Sequence, residues 1–183
     1  MRIIGGRFRG RVIRFPDAAG LRPTPDRVRE TLFNWLGQEL NGRRTLDLYA
    51  GSGALTLEAL SRGAEAAVAV DSNPALVRSL AEAAKFIGAS GLTTQVADAR
   101  RFLARDTGHY DVIFLDPPFA LDEWAWLLPA CAARLADGGC IYAEAGRALE
   151  APGGLEIRRH AKAGAVHYHL LVRAEAPASS GPP

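Results

Sequence analysis

From residue 44 onward the chain alternates short apolar runs with amphipathic stretches, and no other feature restricts its fold as much. Strands are expected at residues 45–49, 66–70, 93–97, 110–115 and 140–144, with helices between them near 54–62, 74–87, 99–105 and 122–135. Each crossover lays a helix on the sheet, so the strands run parallel and both faces are covered. The end of the chain breaks this rhythm. Residues 155–160 and 166–173 are strand-like runs joined by Ala163-Gly164, which reads as an antiparallel hairpin. The expectation is a mostly parallel seven-stranded α/β sheet of Rossmann-like plan that closes on a hairpin.

The first forty residues are organised differently. Arg2-Ile3-Ile4 and Arg11-Val12-Ile13-Arg14-Phe15, separated by Gly5, Gly6 and Gly10, suggest a small β-hairpin. Leu21-Arg22-Pro23-Thr24-Pro25-Asp26 then leads into a helix, with Thr24 as its N-cap and Pro25 at the first helical position. Val28, Leu32, Trp35 and Leu36 recur at helical spacing and face a core. Residues 1–40 are thus read as a basic extension packed on the core, 41–173 as the main domain, and 174–183, rich in Ala, Ser, Gly and Pro, as a disordered tail.

In open parallel sheets ligands bind outside the carboxyl ends of the strands. Here Asp47, Asp71, Asp98 and Asp116 each end a strand. Asp47 opens Asp47-Leu48-Tyr49-Ala50-Gly51-Ser52-Gly53-Ala54, where Gly51 and Gly53 let the backbone approach a ligand and the following helix presents its amide end. A dinucleotide fingerprint would need Gly at position 56, where Thr56 stands, so a diphosphate is disfavoured. Asp71, followed by Ser72, suits ribose hydroxyls, Asp98 with Ala99 suits an adenine amine, and Asp47 suits an ammonium group. Taken alone, each Asp could equally cap a helix. Together they suit a cationic ligand without phosphates, and S-adenosylmethionine (SAM) is such a ligand.

The chemistry lies in Asp116-Pro117-Pro118-Phe119, after the apolar run 110–115. An exocyclic base amine is a poor nucleophile because its lone pair is delocalised into the ring. The Asp116 carboxylate and the Pro117 carbonyl can accept both of its hydrogens and draw the nitrogen toward a pyramidal geometry. Phe119 offers a face on which the base stacks. A Pro-rich turn closing a strand is the bland alternative.

Charge adds a partner. Net charge is +2, but residues 1–30 carry eight arginines against three acids, leaving the other 153 residues at −3. Arg7, Arg9, Arg11, Arg22 and Arg27 are candidates for phosphate contacts, since the guanidinium fork matches phosphate oxygens. Cys131 and Cys140 lack disulfide or metal-ligand context, which points to a reducing cytoplasm and no structural zinc. His167 and His169 share a strand face without supporting Cys or carboxylate, so no metal is expected. Neither a signal peptide nor a membrane span is expected.

Three blocks of this chain resemble the RsmD family. They are Arg2-Ile3-Ile4-Gly5-Gly6, Leu21-Arg22-Pro23-Thr24 with Asp26-Arg27-Val28-Arg29-Glu30-Thr31-Leu32-Phe33, and Asp47 to Leu55 with Leu57-Glu58-Ala59-Leu60-Ser61-Arg62-Gly63-Ala64 and the Asp-Pro-Pro-Phe tetrad. The resemblance implies transfer of one methyl from SAM to N2 of a guanine in small-subunit (16S) ribosomal RNA, in an assembled or partly assembled subunit, by a monomer. It implies a target base drawn out of an RNA loop, as chemistry on a base amine requires. Two readings remain beside it. One is a DNA or other RNA base-amine methyltransferase, disfavoured by the lack of room for a target-reading domain. The other is a non-catalytic nucleotide-binding assembly factor.

Overall fold

Strand order follows the crossovers. The computed structural model describes residues 1–16 and 24–175. Its elements are α1 (Asp26–Trp35), β1 (Arg44–Asp47), α2 (Ala54–Ser61), β2 (Ala66–Asp71), α3 (Pro74–Ile87), β3 (Leu92–Val96), α4 (Ala99–Leu103), β4 (Tyr110–Leu115), α5 (Trp124–Ala132), β5 (Leu135–Ala145), β6 (Leu155–Ala163) and β7 (Val166–Arg173). Seven strands form one sheet in the order β3-β2-β1-β4-β5-β7-β6. Strands β1 to β5 are parallel, and β7 runs antiparallel between β5 and β6. The sequence-based fold class and the terminal hairpin are both realised.

Alternation along β4 divides the core. Val112 and Phe114 point to one face, where Val28, Leu32 and Phe33 of α1 and Leu55 and Ala59 of α2 cover them. Ile113 and Leu115 point to the other, against Leu103 of α4 and Leu127, Leu128 and Cys131 of α5. Strands buried on both faces read as continuous apolar runs, which is why 110–115 carries only one charge. Helix α3 shows how local sequence sets an element's limits. Asn73 accepts the Ala75 amide, Pro74 opens the helix, and Gly88 closes it with φ of 74°.

Three expectations require correction. The amino-terminal hairpin reduces to one bridge, Arg2 with Val12, because its glycines turn the chain before a ladder forms. Instead Ile3, Phe8 and Ile13 bury against Leu57, Leu80 and Ile87. Thr24 does not cap α1. Pro25 holds the cap position without a side-chain bond, and the Thr24 hydroxyl reaches Glu144 instead. Strand β5 begins at Leu135, earlier than expected, because pairing passes from Tyr110↔Leu135 to Val112↔Cys140 and absorbs Asp137-Gly138-Gly139 as an irregularity. Arg22 and most of the proposed tail lie outside the described residues.

One buried ion cluster ties the amino-terminal segment to the sheet. Both Glu58 oxygens are fully enclosed and accept from four donors. The Ile4 amide and Arg29 Nη1 donate to Oε2 at 3.0 and 3.3 Å, and the Gly5 amide and Arg62 Nε donate to Oε1, both at 2.8 Å. Ser61 Oγ adds a bond to the Gly5 carbonyl at 2.6 Å and accepts the Phe8 amide at 2.9 Å. Breaking a buried pair from one side strands the other charge. Glu58→Ala should therefore lower unfolding free energy by about 3–5 kcal/mol. Urea denaturation checks this, and a loss under about 1 kcal/mol, the size of a surface pair, would contradict it.

Candidate active site

Because β1, β4 and β5 are adjacent and parallel, their carboxyl ends open on the same edge. Asp47 lies in register with Phe114, and Phe114 with Tyr142. Two residues beyond those, on the same face, come Asp116 and Glu144. Three carboxylates thus meet at one edge of the sheet. Asp47 and Asp116 are the strand-end acids that the sequence picks out, and Glu144 joins them from β5.

Each acid sits in a different environment. Asp47 is 4% exposed and accepts the Thr56 hydroxyl at 2.7 Å. Burial pushes its carboxyl up to about 7, opposed by the Thr56 hydroxyl and the Tyr49 amide. Thr56, noted in the sequence only as the glycine that is missing, is therefore the partner of the first strand-end acid. Asp116 is held well above the ordinary carboxylate range, by desolvation first and then by the charges of Glu144 and Asp47. Burial also raises Glu144, against the pull of the Tyr142 and Thr24 hydroxyls. Among the described residues no cation lies within ion-pairing distance of these three acids. A buried acidic edge without its own counter-ion suits a cationic ligand.

The β1–α2 turn completes that half of the site. Ala50, Gly51, Ser52 and Gly53 follow Asp47, with φ of 50° at Gly51 and 76° at Gly53. A Cβ at Gly53 would also run into the Leu80 side chain, so position 53 demands glycine on two counts. Asp71 clamps this turn. Its Oδ2 accepts the Gly51 amide at 2.9 Å and its Oδ1 the Asn73 amide at 2.8 Å. Each oxygen keeps a lone pair for a ribose hydroxyl. Asp98 caps α4, its Oδ1 accepting the amides of Arg100 and Arg101, while its side chain stays exposed. Ser72 is exposed beside Asp71, and Ala99 is buried at the first turn of α4. Capping and ligand binding are compatible at Asp98, since Oδ2 has no partner among the described residues. The donor set, the tight glycine turn and the uncompensated acids fit SAM.

Beyond β4 the tetrad forms an open cleft. Pro117, Phe119, Leu121, Asp122, Trp124, Gly146 and Arg147 line a space of about 280 Å³. Phe119 is 51% exposed, a large apolar face left to solvent. The Pro118 carbonyl accepts the Leu121 amide at 2.8 Å, whereas the Pro117 carbonyl accepts no hydrogen bond among the described residues. Pro117 and Phe119 share this cleft, while Asp116, at the end of β4, is not among its lining residues. Trp124 joins the cleft wall. Trp126 does not, and lies instead beneath the Arg100 guanidinium, 4.0 Å from its ring. Arg147, which sequence reading missed, stands at the rim and pairs with Asp122 at 2.9 Å.

The arginines are divided. Arg7 Nη2 donates to the Gly88 carbonyl at 3.0 Å and Arg11 Nη1 to the Ile87 carbonyl at 3.3 Å, so both cap the carboxyl end of α3. That end lies at the opposite edge of the sheet from Asp116, and a 14-residue helix spans about 21 Å. Arg9 is exposed nearby. Arg27 is exposed on the first turn of α1, three residues from Thr24, and so lies on the acidic side. The histidines of the last hairpin cluster more than expected. His160, His167 and His169 place their ring nitrogens within 4.8 Å of one another. In His169, however, Nε2 accepts the Leu149 amide and Nδ1 faces the Ala143 carbonyl, so both nitrogens are engaged by backbone.

Comparison with known proteins agrees with this geometry. A family model described as conserved hypothetical protein 95 matches residues 1–172. Ribosomal RNA small subunit methyltransferase D of Escherichia coli strain K12 is 40% identical over 179 residues, covering 94% of this chain and 90% of that protein. The solved structure of the candidate methyltransferase yhhF from Escherichia coli has a TM-score of 0.86 at 38% identity, covering 94% of this chain and 97% of that one. A candidate SAM-dependent methyltransferase from Streptococcus mutans, 16% identical with a TM-score of 0.68, covers 83% of this chain and 49% of that one and shares the fold. With its matched length, its sheet order and its acidic strand ends in place, the chain belongs to the RsmD family and is a SAM-dependent methyltransferase of the class I fold.

Proposed function

We propose that this enzyme methylates the exocyclic N2 amine of one guanine in small-subunit (16S) ribosomal RNA, within an assembled or partly assembled subunit. The observation that supports the reading is the order of residues leaving β4, where Asp116 is followed by Pro117, whose carbonyl accepts no hydrogen bond among the described residues, and by half-exposed Phe119 in an open cleft. Support for the RNA comes from the relative named as a small-subunit ribosomal RNA methyltransferase. The protein acts as a monomer in the cytoplasm, where its two buried cysteines remain free thiols.

When bound, SAM supplies an electrophilic methyl group on a sulfonium. Asp47, at the end of β1, faces its ammonium; Asp71 takes the ribose hydroxyls, Asp98 the adenine amine, and the amides of the glycine turn bring the backbone close. Asp116 accepts one N2 hydrogen and the Pro117 carbonyl the other, so the lone pair turns out of the ring plane. Phe119 carries the base, and its exposed face is free for stacking before RNA arrives. Positioning of this kind supplies most of the rate effect. The amine becomes acidic only as the new bond forms, so Asp116 orients first and takes a proton late. Arg27, Arg9 and, across the far edge, Arg7 and Arg11 extend a positive footprint to RNA phosphates, with Arg22 in the same segment.

Three outcomes test the site. Ribosomal RNA from a strain lacking the protein should lose one N2-methylguanine in the small subunit, restored by wild type and not by Asp116→Ala, which should still bind SAM. Restoration by Asp116→Ala, or a missing methyl on another atom, would overturn the reading. Phe119→Ala should weaken RNA capture by about 1–3 kcal/mol, the usual value of base–aromatic stacking, and an unchanged RNA affinity and rate would reject the stacking role.

Asp47 gives a test by pH. Its carboxyl is raised in the fold, so its neutral form is favoured there, and stability is lost as pH rises from the unfolded value of 3.8 through about 7. Asp47→Asn should stabilise the SAM-free protein by about 1–2 kcal/mol above pH 7, show no gain near pH 4, and weaken SAM binding. Thermal melts at the two pH values with a SAM titration check it. Equal effects at both pH values, or unaltered SAM affinity, would contradict it.

A further inference from the structure

We propose that the groove between β3 and α4 is a second RNA site, where Arg101 and Arg105 hold phosphates of the strand that carries the target base. This surface extends the ribosomal RNA reading above and rests on it. Its origin is a helix too short to cover an edge. Strand β3 is the outermost of the sheet on its side, and α4, with five residues, packs chiefly on β2 and α5. Leu92 of β3 packs with the cluster that holds Ile87 of α3, while Ala97 packs with the core under α4 and α5. Alternation therefore points Thr93 and Gln95 to the α4 side, and both are exposed. What stays open is a groove of about 500 Å³, lined by Gln95, Asp98, Arg101, Phe102, Arg105 and Asp106 with their neighbours.

The charges of the groove select an anion. Among the described residues neither the Arg101 nor the Arg105 guanidinium forms an ion pair. Both acids of the groove are already engaged. Asp98 accepts the amides of Arg100 and Arg101, and Asp106 accepts the Tyr110 hydroxyl at 3.1 Å with Arg134 Nε at 3.7 Å. The Arg105 amide donates to the Phe102 carbonyl at 3.0 Å, which continues the turn beyond α4 and keeps Arg105 about one turn from Arg101. Two exposed guanidinium forks with no acid to hold match phosphate oxygens. Position selects the polymer. Asp98 sets the mouth of the groove at the carboxyl ends of the strands, the edge that carries Asp116 three inter-strand spacings away, roughly 14 Å. Arg7 and Arg11 sit at the opposite edge and already cap α3. A strand with its base at Phe119 thus meets the α4 arginines before the amino-terminal ones.

Methyl transfer to small subunits purified from a strain lacking the protein tests the groove. Arg101→Gln combined with Arg105→Gln should raise KM for the subunits on the order of tenfold at about 0.1 M salt, and should flatten the slope of log KM against log salt by about 1.4, the value of two single-strand phosphates. The kcat at saturating subunits and the SAM affinity read by calorimetry should stay at wild-type values, and the latter also verifies folding. Arg158→Gln combined with Arg159→Gln removes the same charge from exposed positions on β6, at the other edge of the sheet, and should leave KM and slope alone. Unchanged KM and slope in the α4 variant would overturn the proposal. So would an equal rise in the β6 variant, which would mark a general effect of net charge, or a loss of SAM affinity, which would assign the arginines to the cofactor. A wild-type enzyme that transfers no methyl to these subunits would instead remove the RNA reading itself, so the two failures are distinct.

Discussion

Parallel pairing forces the ends of β1, β4 and β5 together, and each of those ends carries an acid that the fold does not neutralise. Most of what is distinctive about the site follows from that crowding. Elsewhere the protein pairs its buried charges: Glu58 is enclosed by Arg29, Arg62 and two amides. At the acidic edge Asp47 and Glu144 have only hydroxyls and amides for company, and Asp116 has no hydrogen-bond partner among the described residues. Burying carboxylates without cations costs stability and drives them toward their neutral forms. A ligand bearing positive charge removes that penalty, and a base amine offers the hydrogens that such acceptors lack.

The two ion arrangements divide the labour between anchoring and chemistry. Glu58 and Ser61 fasten the first residues of the chain onto α2, and Arg29 carries the link into α1. Through α1 the same segment delivers Thr24 to the acidic edge, 120 residues away in sequence from the Glu144 it touches. The amino-terminal segment is thus part of the core on one side and touches the acidic edge on the other. Its arginines follow the same division. Arg7 and Arg11 close the end of α3, while Arg27 stands near the site.

Much of this could be read from the sequence, for reasons that are local. Period and punctuation placed the strands and helices, because a doubly covered parallel strand is uniformly apolar and Pro74 and Gly88 bracket α3 by their own backbone preferences. Asp47, Asp71, Asp98 and Asp116 fell at strand ends as counted. What escaped was non-local. Nothing near Thr24 announces Glu144, and Thr56 looks like a defect in a glycine motif until Asp47 is seen beside it. Asp137-Gly138-Gly139 resembles a turn, yet pairing with Tyr110 carries β5 back to Leu135. A guanidinium serves a helix carboxyl end as well as a phosphate, so the charge count could not tell Arg7 from a free RNA contact. The resemblance blocks prove to have a structural part: Gly5, Arg29, Glu58, Ser61 and Arg62 form one clamp.

Proton release on cofactor binding tests the acidic edge most directly. Calorimetric titration of SAM into the protein, repeated near pH 7 in buffers of different ionisation enthalpy, measures it without RNA or turnover. If the strand-end acids hold protons until a cation arrives, SAM binding expels a substantial fraction of one proton per molecule, and the fraction shrinks as pH rises past the Asp47 value of about 7. Binding heats that are the same in every buffer would show no proton leaving, and would contradict the crowded, uncompensated edge on which the site depends.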